Sequence, residues 1–308
     1  MMLGMSVQAI YMLIDTAFIG KWVGSNALAG LGLIFPPMFI IMGITFGLGS
    51  GATTVIAQEI GKGKKQLADN AAEHTIILGI ILSIMFIFIG IFFGDTLIKY
   101  QSEDLDVYNQ ASSYFYTMLY GTPFMVLSIF FRSILSGEGD TLLPMKVLGL
   151  GTLINLLLDP LLIYYFQIKG AAIATVTSQA IVFVIFSYLM IFKKRTYISL
   201  NLKNFIYDFN IFNKILKLGL PASMSMVIMS IGLFFYNSIL GMSEYSTNAI
   251  AAYSTAHRIE HLFFIPIISL ATSMVTLIGM FYGAKKYNLI DYIFYYSLKS
   301  GVIISIFF

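Results

Sequence analysis

Three polar side chains lie at one predicted depth inside long apolar stretches of this sequence. Asp15 lies about five residues before the end of the first stretch, and Asp159 about seven before the end of the fifth. Thr177 lies about six residues after the start of the sixth, which runs the opposite way. At 1.5 Å per helical residue, the three lie within about 3 Å of one depth. A charge at the centre of a membrane helix costs about 2.5–3.5 kcal/mol, so both aspartates need a physical reason.

Asn155 lies one helical turn before Asp159 and therefore on the same face. Two carboxylates, an amide and a hydroxyl are hard oxygen ligands suited to Na⁺, or to holding an exchangeable proton. These residues predict a coupling-ion site, and structural hydrogen bonding is the alternative. Tyr11, one turn before Asp15, supplies either a hydroxyl and an aromatic wall for this site or ordinary packing.

A second cluster, His257-Arg258-Ile259-Glu260-His261, fits the H-x-x-E-H pattern of one class of zinc hydrolases. Its spacing puts both imidazoles on one helical face, with Glu260 as the possible base. A third ligand is expected further along the chain, where only Asp291 is a carboxylate. We therefore expect Arg258 and Glu260 to offset each other's charge, and the histidines to line a polar cavity.

The composition excludes several classes of protein. Of the 308 residues, 58% are hydrophobic and only 11% are charged, whereas a soluble domain carries about 25% charged residues. The chain has no cysteine, which removes thiolate sites and disulfides. A net charge of +3 is too small to indicate nucleic acid binding. The expected fold class is an all-α, polytopic transmembrane bundle without an enzymatic cofactor.

A window of about 20 apolar residues predicts nine membrane spans. They are 1–20, 29–57, 75–94, 110–131, 145–166, 171–192, 213–240, 248–279 and 289–308. Most lysines and arginines fall in alternate connections, which by the positive-inside rule are cytoplasmic. This predicts a multi-pass protein of the cytoplasmic membrane with its amino terminus inside. The first and last spans reach the chain ends without polar flanks, so both ends are expected to be truncated.

A shift of 222 residues aligns two parts of the chain without a gap. Asn26-Ala27-Leu28-Ala29-Gly30 falls on Asn248-Ala249-Ile250-Ala251-Ala252, and Gly61 falls on Gly283. A shift of six spans keeps the orientation, as in the parallel repeats of secondary transporters. The predicted domains are an amino-terminal lobe (1–192), a cytoplasmic linker (193–212) and a partial second lobe (213–308).

Six segments carry a resemblance to a known family. In chain order they are Leu13-Ile14-Asp15-Thr16-Ala17-Phe18-Ile19-Gly20, Asn26-Ala27-Leu28-Ala29, Gly49-Ser50-Gly51-Ala52-Thr53-Thr54, Arg132-Ser133-Ile134-Leu135, Gly137-Glu138-Gly139-Asp140-Thr141 and Asn155-Leu156-Leu157-Leu158-Asp159-Pro160-Leu161. They resemble the first two helices and the fourth-to-fifth helix region of the MATE (multidrug and toxic compound extrusion) transporters, in particular their archaeal and DinF-like branch. The resemblance implies twelve helices in two lobes, and exchange of H⁺ or Na⁺ for drugs or metabolites.

The resemblance also implies roles for individual residues. The amino-lobe cation site of that branch comprises, in this sequence, Asp15, Asn155, Asp159 and Thr177. Tyr11 matches a position beside the site, and Glu138 matches a loop acid with a role in gating. The expected partners are small cationic or amphipathic organic substrates and membrane lipids, with the protein as a monomer.

The sequence therefore predicts a cation-coupled antiporter that exports drugs or organic metabolites by alternating access. One alternative is a lipid-linked oligosaccharide flippase of the same superfamily, whose cavity would be lined with cations to meet a diphosphate. The first six spans contain no Lys or Arg away from their ends, which disfavours that alternative. The other alternative is an intramembrane zinc hydrolase that uses residues 257–261.

Overall fold

The computed structural model describes residues 13–102, 104–193, 196–242 and 246–307. Every regular element in these ranges is helical, which confirms the predicted all-α fold class. The main helices are α1 (residues 13–22), α2 (Ser25–Gly61), α3 (Lys65–Lys99), α4 (Leu105–Gly137), α5 (Leu142–Ser187), α6 (Phe209–Gly241), α7 (Ser246–Gly283) and α8 (Tyr287–Phe307). A short π-helix, Tyr188–Phe192, continues α5, and a 3₁₀ turn, Leu202–Asn204, precedes α6.

Helix α5 contains two of the predicted spans. Gln167 interrupts it with φ 53° and ψ −136°, and divides it into a first arm (142–166) and a second arm (168–187). This break falls between the predicted spans 145–166 and 171–192. By length and hydropathy, six helical segments of the described chain are able to cross a membrane, and the arms of α5 count as one of them.

Helix α2 lies at the centre of the bundle. It packs against α3, α4, α6 and α7, and most of its residues are buried. Small residues on α2 allow this crowding, because a β-carbon on Gly47 would collide with the backbone of Ser223 in α6. Ser223 also donates a hydrogen bond to the Ile44 carbonyl at 3.3 Å. The core of the first part of the chain is thus built around α2.

The contacts between α2 and α7 follow the 222-residue shift predicted from the sequence. A β-carbon on Gly61 would collide with the carbonyl of Met280, and one on Gly283 would collide with the carbonyl of Gln58. Residues 61 and 283 are equivalent under the shift, and so are 58 and 280. The two contacts are therefore the same contact made twice, which we call the reciprocal crossing. It places the two helices around a local pseudo-two-fold axis.

The segment 196–208, which we call the linker strap, lies against one end of α3. The amides of Ser199 and Asn201 donate to Asp69 and Glu73, each at 2.9 Å. Ile198 is fully buried. Helix α6 begins at Phe209, inside the predicted linker 193–212. The boundaries of the two lobes stay a prediction.

Candidate functional site

Three of the four predicted coupling-site residues are buried. Asp159 is 0% exposed, Asn155 4% and Asp15 7%. The Asn155 Nδ2 donates a hydrogen bond to Asp159 Oδ1 at 3.2 Å, as the spacing of four residues predicts. A buried carboxylate is costly unless it is neutralised or hydrogen-bonded, so this pair is a candidate site for a proton or a cation. Asp15 lies on α1, and its membership of the site stays a prediction.

The other predicted coupling and substrate residues differ in burial or in whether the structure describes them. Thr177 is on the second arm of α5 and is exposed, in contrast to the three buried residues. Its part in the site therefore also stays a prediction. Tyr11 lies outside the described residues.

Glu138 lies directly after α4 and binds the linker strap. Its Oε2 accepts a hydrogen bond from the Ile198 amide at 2.9 Å. Burial raises the pKa of the Glu138 carboxyl to about 6, and the negative charges of Asp140 and Asp69 act in the same direction. The hydrogen bonds from the strap act in the opposite direction, but burial dominates. Glu138 is thus a titratable contact between the end of α4 and the strap, and its gating role stays a prediction.

His74 fixes the other end of the strap. Its Nε2 accepts a hydrogen bond from the Asp208 amide at 3.0 Å, and Nδ1 lies 2.9 Å from the Asn70 carbonyl. This geometry requires the neutral imidazole with its proton on Nδ1, because Nε2 must keep its lone pair. The ring also contacts Phe205 and Tyr207, with centroids 4.7 and 5.5 Å away. His74 thereby ties the start of α6 to α3.

An aromatic cluster lies where α2, α6 and α7 meet. Tyr236 stacks on Tyr253 with centroids 4.3 Å apart, and Tyr253 stacks on His257 at 6.2 Å. Phe35 and Phe39 of α2 approach His257 at 6.5 and 6.0 Å. We call these five rings the aromatic cluster. Stacked ring faces with a nearby acid attract organic cations.

The acid of this cluster is Glu260, whose Oε2 lies 3.4 Å from His257 Nδ1. Its side chain is 62% exposed, so it is available to a ligand. The His261 side chain lies outside the described part of the structure. Among the described residues, no three His, Cys, Asp or Glu side chains converge as metal ligands.

Comparison with known proteins decides the family. The family model MatE matches residues 1–161 and 221–308, most of the chain. The chain belongs to the MATE family. The predicted multi-pass helical membrane protein is therefore confirmed, and relatives in this family are named for transport rather than catalysis.

The chain is similar to curated and solved MATE proteins. The probable multidrug resistance protein YoeA of Bacillus subtilis is 27% identical over 294 residues, which cover 92% of this chain and 62% of YoeA. The chain therefore spans about three-fifths of the length of that relative. A solved outward-facing multidrug resistance MATE transporter is 33% identical over 99% of this chain and 67% of its own, with a TM-score of 0.91. An inward-facing one is also 33% identical, over 99% of this chain and 69% of its own, with a TM-score of 0.83.

The aromatic cluster of this MATE chain was not predicted as a site. The sequence shows 47 aromatic residues without indicating which of them meet. Phe35 and His257 are more than 200 positions apart and come together only through the packing of α2 on α7. The one available signal was the 222-residue repeat, which relates α2 to α7.

Proposed function

We propose that this protein is a cation-coupled antiporter of the archaeal and DinF-like MATE branch, with H⁺ or Na⁺ as the coupling ion. The observation that carries the proposal is the buried Asn155–Asp159 pair in a MATE chain, with Asp15 also buried. Two carboxylates away from bulk water do not both stay ionised without a cation. Binding of a proton or Na⁺ relieves the repulsion between the two negative charges and stabilises one conformation of the first lobe.

The substrates in this proposal are small organic cations or amphipathic molecules, bound at the aromatic cluster. The faces of Tyr253 and Tyr236 attract a delocalised cation, and the exposed carboxylate of Glu260 adds a charge. Export then follows by alternating access, because the ion and the substrate favour different states of the two lobes.

The orientation in this proposal has the amino terminus and the lysine-rich connections in the cytoplasm. The reciprocal crossing of Gly61 and Gly283 lies at the lysine-rich end and holds α2 and α7 close together there. The higher TM-score with the outward-facing transporter supports a cytoplasmic end that is closed in this structure. The protein is expected to work as a monomer.

The single tryptophan provides a test of ion binding. Trp22 is the last residue of α1 and lies seven residues after Asp15. Its ring stacks on that of Phe18, with the centroids 4.8 Å apart. If ion binding at Asp15 moves α1, the fluorescence of Trp22 should change in a saturable way with NaCl or with pH. Choline chloride controls for ionic strength. A response to pH without Na⁺ identifies H⁺ as the ion.

Four substitutions test which residues produce the fluorescence response. Asp15→Asn and Asp159→Asn should each abolish the response, and Thr177→Ala should weaken it by removing a neutral ligand. Glu260→Gln should leave it unchanged, since Glu260 is assigned to the substrate. If Asp159→Asn titrates like the unchanged protein, the site is wrongly placed.

Transport is tested with the protein as its gene encodes it, in everted membrane vesicles loaded with ethidium by an imposed H⁺ or Na⁺ gradient. Asp159→Asn should abolish gradient-driven uptake. Glu260→Gln should weaken ethidium binding while uptake remains dependent on the gradient. Gradient-driven uptake by Asp159→Asn at the unchanged rate would refute the coupling role.

A further inference from the structure

A cleft of about 520 Å³ opens on the bundle surface between α4 and the second arm of α5. It lies apart from the aromatic cluster and from the Asn155–Asp159 pair, and it shares no residue with them. The residues that line it include Ser112, Ser113 and Tyr116 of α4 and Lys169 of α5. The cleft is therefore separate from both candidate sites.

The polarity of the cleft changes with depth. Gly121 contacts Val176 closely, so these two residues mark one level of the bundle. Lys169 lies seven residues before Val176, and Ser113 lies eight before Gly121. Both are therefore about 10–12 Å nearer the end of the bundle. The cleft has a cationic and hydroxylated rim above an apolar floor.

The rim lies at the depth of a membrane interface. Tyr164, Tyr165 and Phe166 are consecutive exposed aromatic residues at the end of the first arm of α5. The helix breaks immediately afterwards at Gln167. Aromatic belts of this kind mark the headgroup level of membrane proteins. Lys169 lies two residues after Gln167 and is also exposed.

Two polar groups of the cleft have no partner within the described ranges. Lys169 makes no ion pair or hydrogen bond with any described residue, and Ser112 Oγ is buried without a hydrogen-bond partner. Two acids at the same end are engaged elsewhere. Asp95 pairs with Lys99 at 2.7 Å, and Asp104 accepts two backbone amides at the start of α4. An unpaired cation beside hydroxyl-bearing residues in one cleft favours an anionic oxygen ligand.

We propose that this cleft binds the phosphate headgroup of a phospholipid, with Lys169 and the rim residue Ser113 on the phosphate and an acyl chain along Tyr120 and Val176. The rim supplies charge and hydroxyl donors at headgroup depth, and the floor supplies apolar surface below it. A lipid fits both parts, whereas a free phosphate would use only the rim. A bound lipid would brace the second arm of α5 against α4.

Native mass spectrometry of the purified chain in detergent tests the proposal. Phosphatidylglycerol and phosphatidylethanolamine should each give a retained adduct, whereas diacylglycerol with the same chains and inorganic phosphate should not. Lys169→Gln should weaken the phosphatidylglycerol adduct about fivefold, the effect of one basic residue near an anionic lipid surface, and should also weaken the phosphatidylethanolamine adduct. Ser113→Ala should weaken them less.

Lys99→Gln is the matched control, because it removes a lysine from the same end of the bundle whose charge Asp95 already satisfies. It should retain lipid as the unchanged protein does, and a melting curve for each variant confirms that it is folded. Equal retention by Lys169→Gln would overturn the proposal. Retention of diacylglycerol equal to that of the phospholipids would show an apolar groove only. Displacement of lipid by equimolar inorganic phosphate would show a free-anion site. Either result would also overturn the proposal.

Discussion

Replacing Glu138 by glutamine should remove the pH dependence of linker-strap docking. Glu138 accepts the Ile198 amide at 2.9 Å, and its burial raises the pKa of the carboxyl to about 6 from the ordinary value of 4.5. We take the strap to be what shields this carboxyl from water, so that its pKa returns to the ordinary value when the strap leaves. The proton therefore binds more tightly in the docked state.

This difference in pKa determines whether docking is favoured at low or at high pH. Protonation favours docking, so the stabilisation is fully present below about pH 4.5 and is lost as the pH rises through about 6. The difference in pKa corresponds to at most about 2 kcal/mol. Because Glu138 is partly exposed, solvent screening reduces this value. Glutamine is neutral at every pH, so Glu138→Gln should dock at neutral pH as the protonated protein does.

Hydrogen exchange of the strap amides measures the effect. The amides of Ile198, Ser199 and Asn201 donate to carboxylates in the docked state and exchange when the strap leaves. At about pH 4, below both pKa values, the variant and the unchanged chain should be protected nearly equally. At about pH 7.5 the variant should be the better protected, by several-fold and at most about 30-fold. Comparing the two proteins at the same pH cancels the intrinsic pH dependence of the amide exchange rate.

Asp291→Asn is the control for loss of one negative charge, since Asp291 is exposed on α8. It should exchange like the unchanged chain at both pH values. The reasoning is refuted if the unchanged chain loses relative protection on acidification, or if Glu138→Gln keeps the same pH profile.

Two further predictions concern the helix crossings and the aromatic cluster. Gly61→Ala should lower the melting temperature, because the new methyl group meets the Met280 carbonyl. Gly149→Ala is the control, and it should maintain or raise the melting temperature because the space around Gly149 is open. Equal shifts in the two variants would refute the close crossing. Tyr253→Leu should weaken binding of tetraphenylphosphonium, measured by equilibrium dialysis, by about 3–30-fold. Exposed Tyr292→Leu on α8 should not change it, and an equal loss in both variants would remove the cluster from the substrate site.

Hydropathy predicted the helices well because each span carries its own signal. The break at Gln167, for example, falls in the gap expected between residues 166 and 171. The Asn155–Asp159 hydrogen bond was also predictable, since residues four apart in a helix share a face. The depth of Thr177 follows from its position in the span. Its exposure depends on how neighbouring helices rotate, which spacing alone does not determine.

The linker strap lay beyond sequence reasoning for a different reason. Its bonds join backbone amides of Ser199 and Asn201 to carboxylates about 130 positions earlier. Backbone donors are the same in every residue, so no pattern of side chains marks them. The sequence indicates no role for Asp69 or Glu73. Only the folded chain shows that they hold the connection to α6.

The reciprocal crossing has a consequence for how the two parts of the chain assemble. Gly61 against Met280 and Gly283 against Gln58 form a self-complementary surface, the kind that an isologous dimer uses. Such a surface needs no covalent connection to find its partner. A chain cut in the connection after Phe192 should therefore reassociate from two separately made pieces, as a heterodimer joined through α2 and α7.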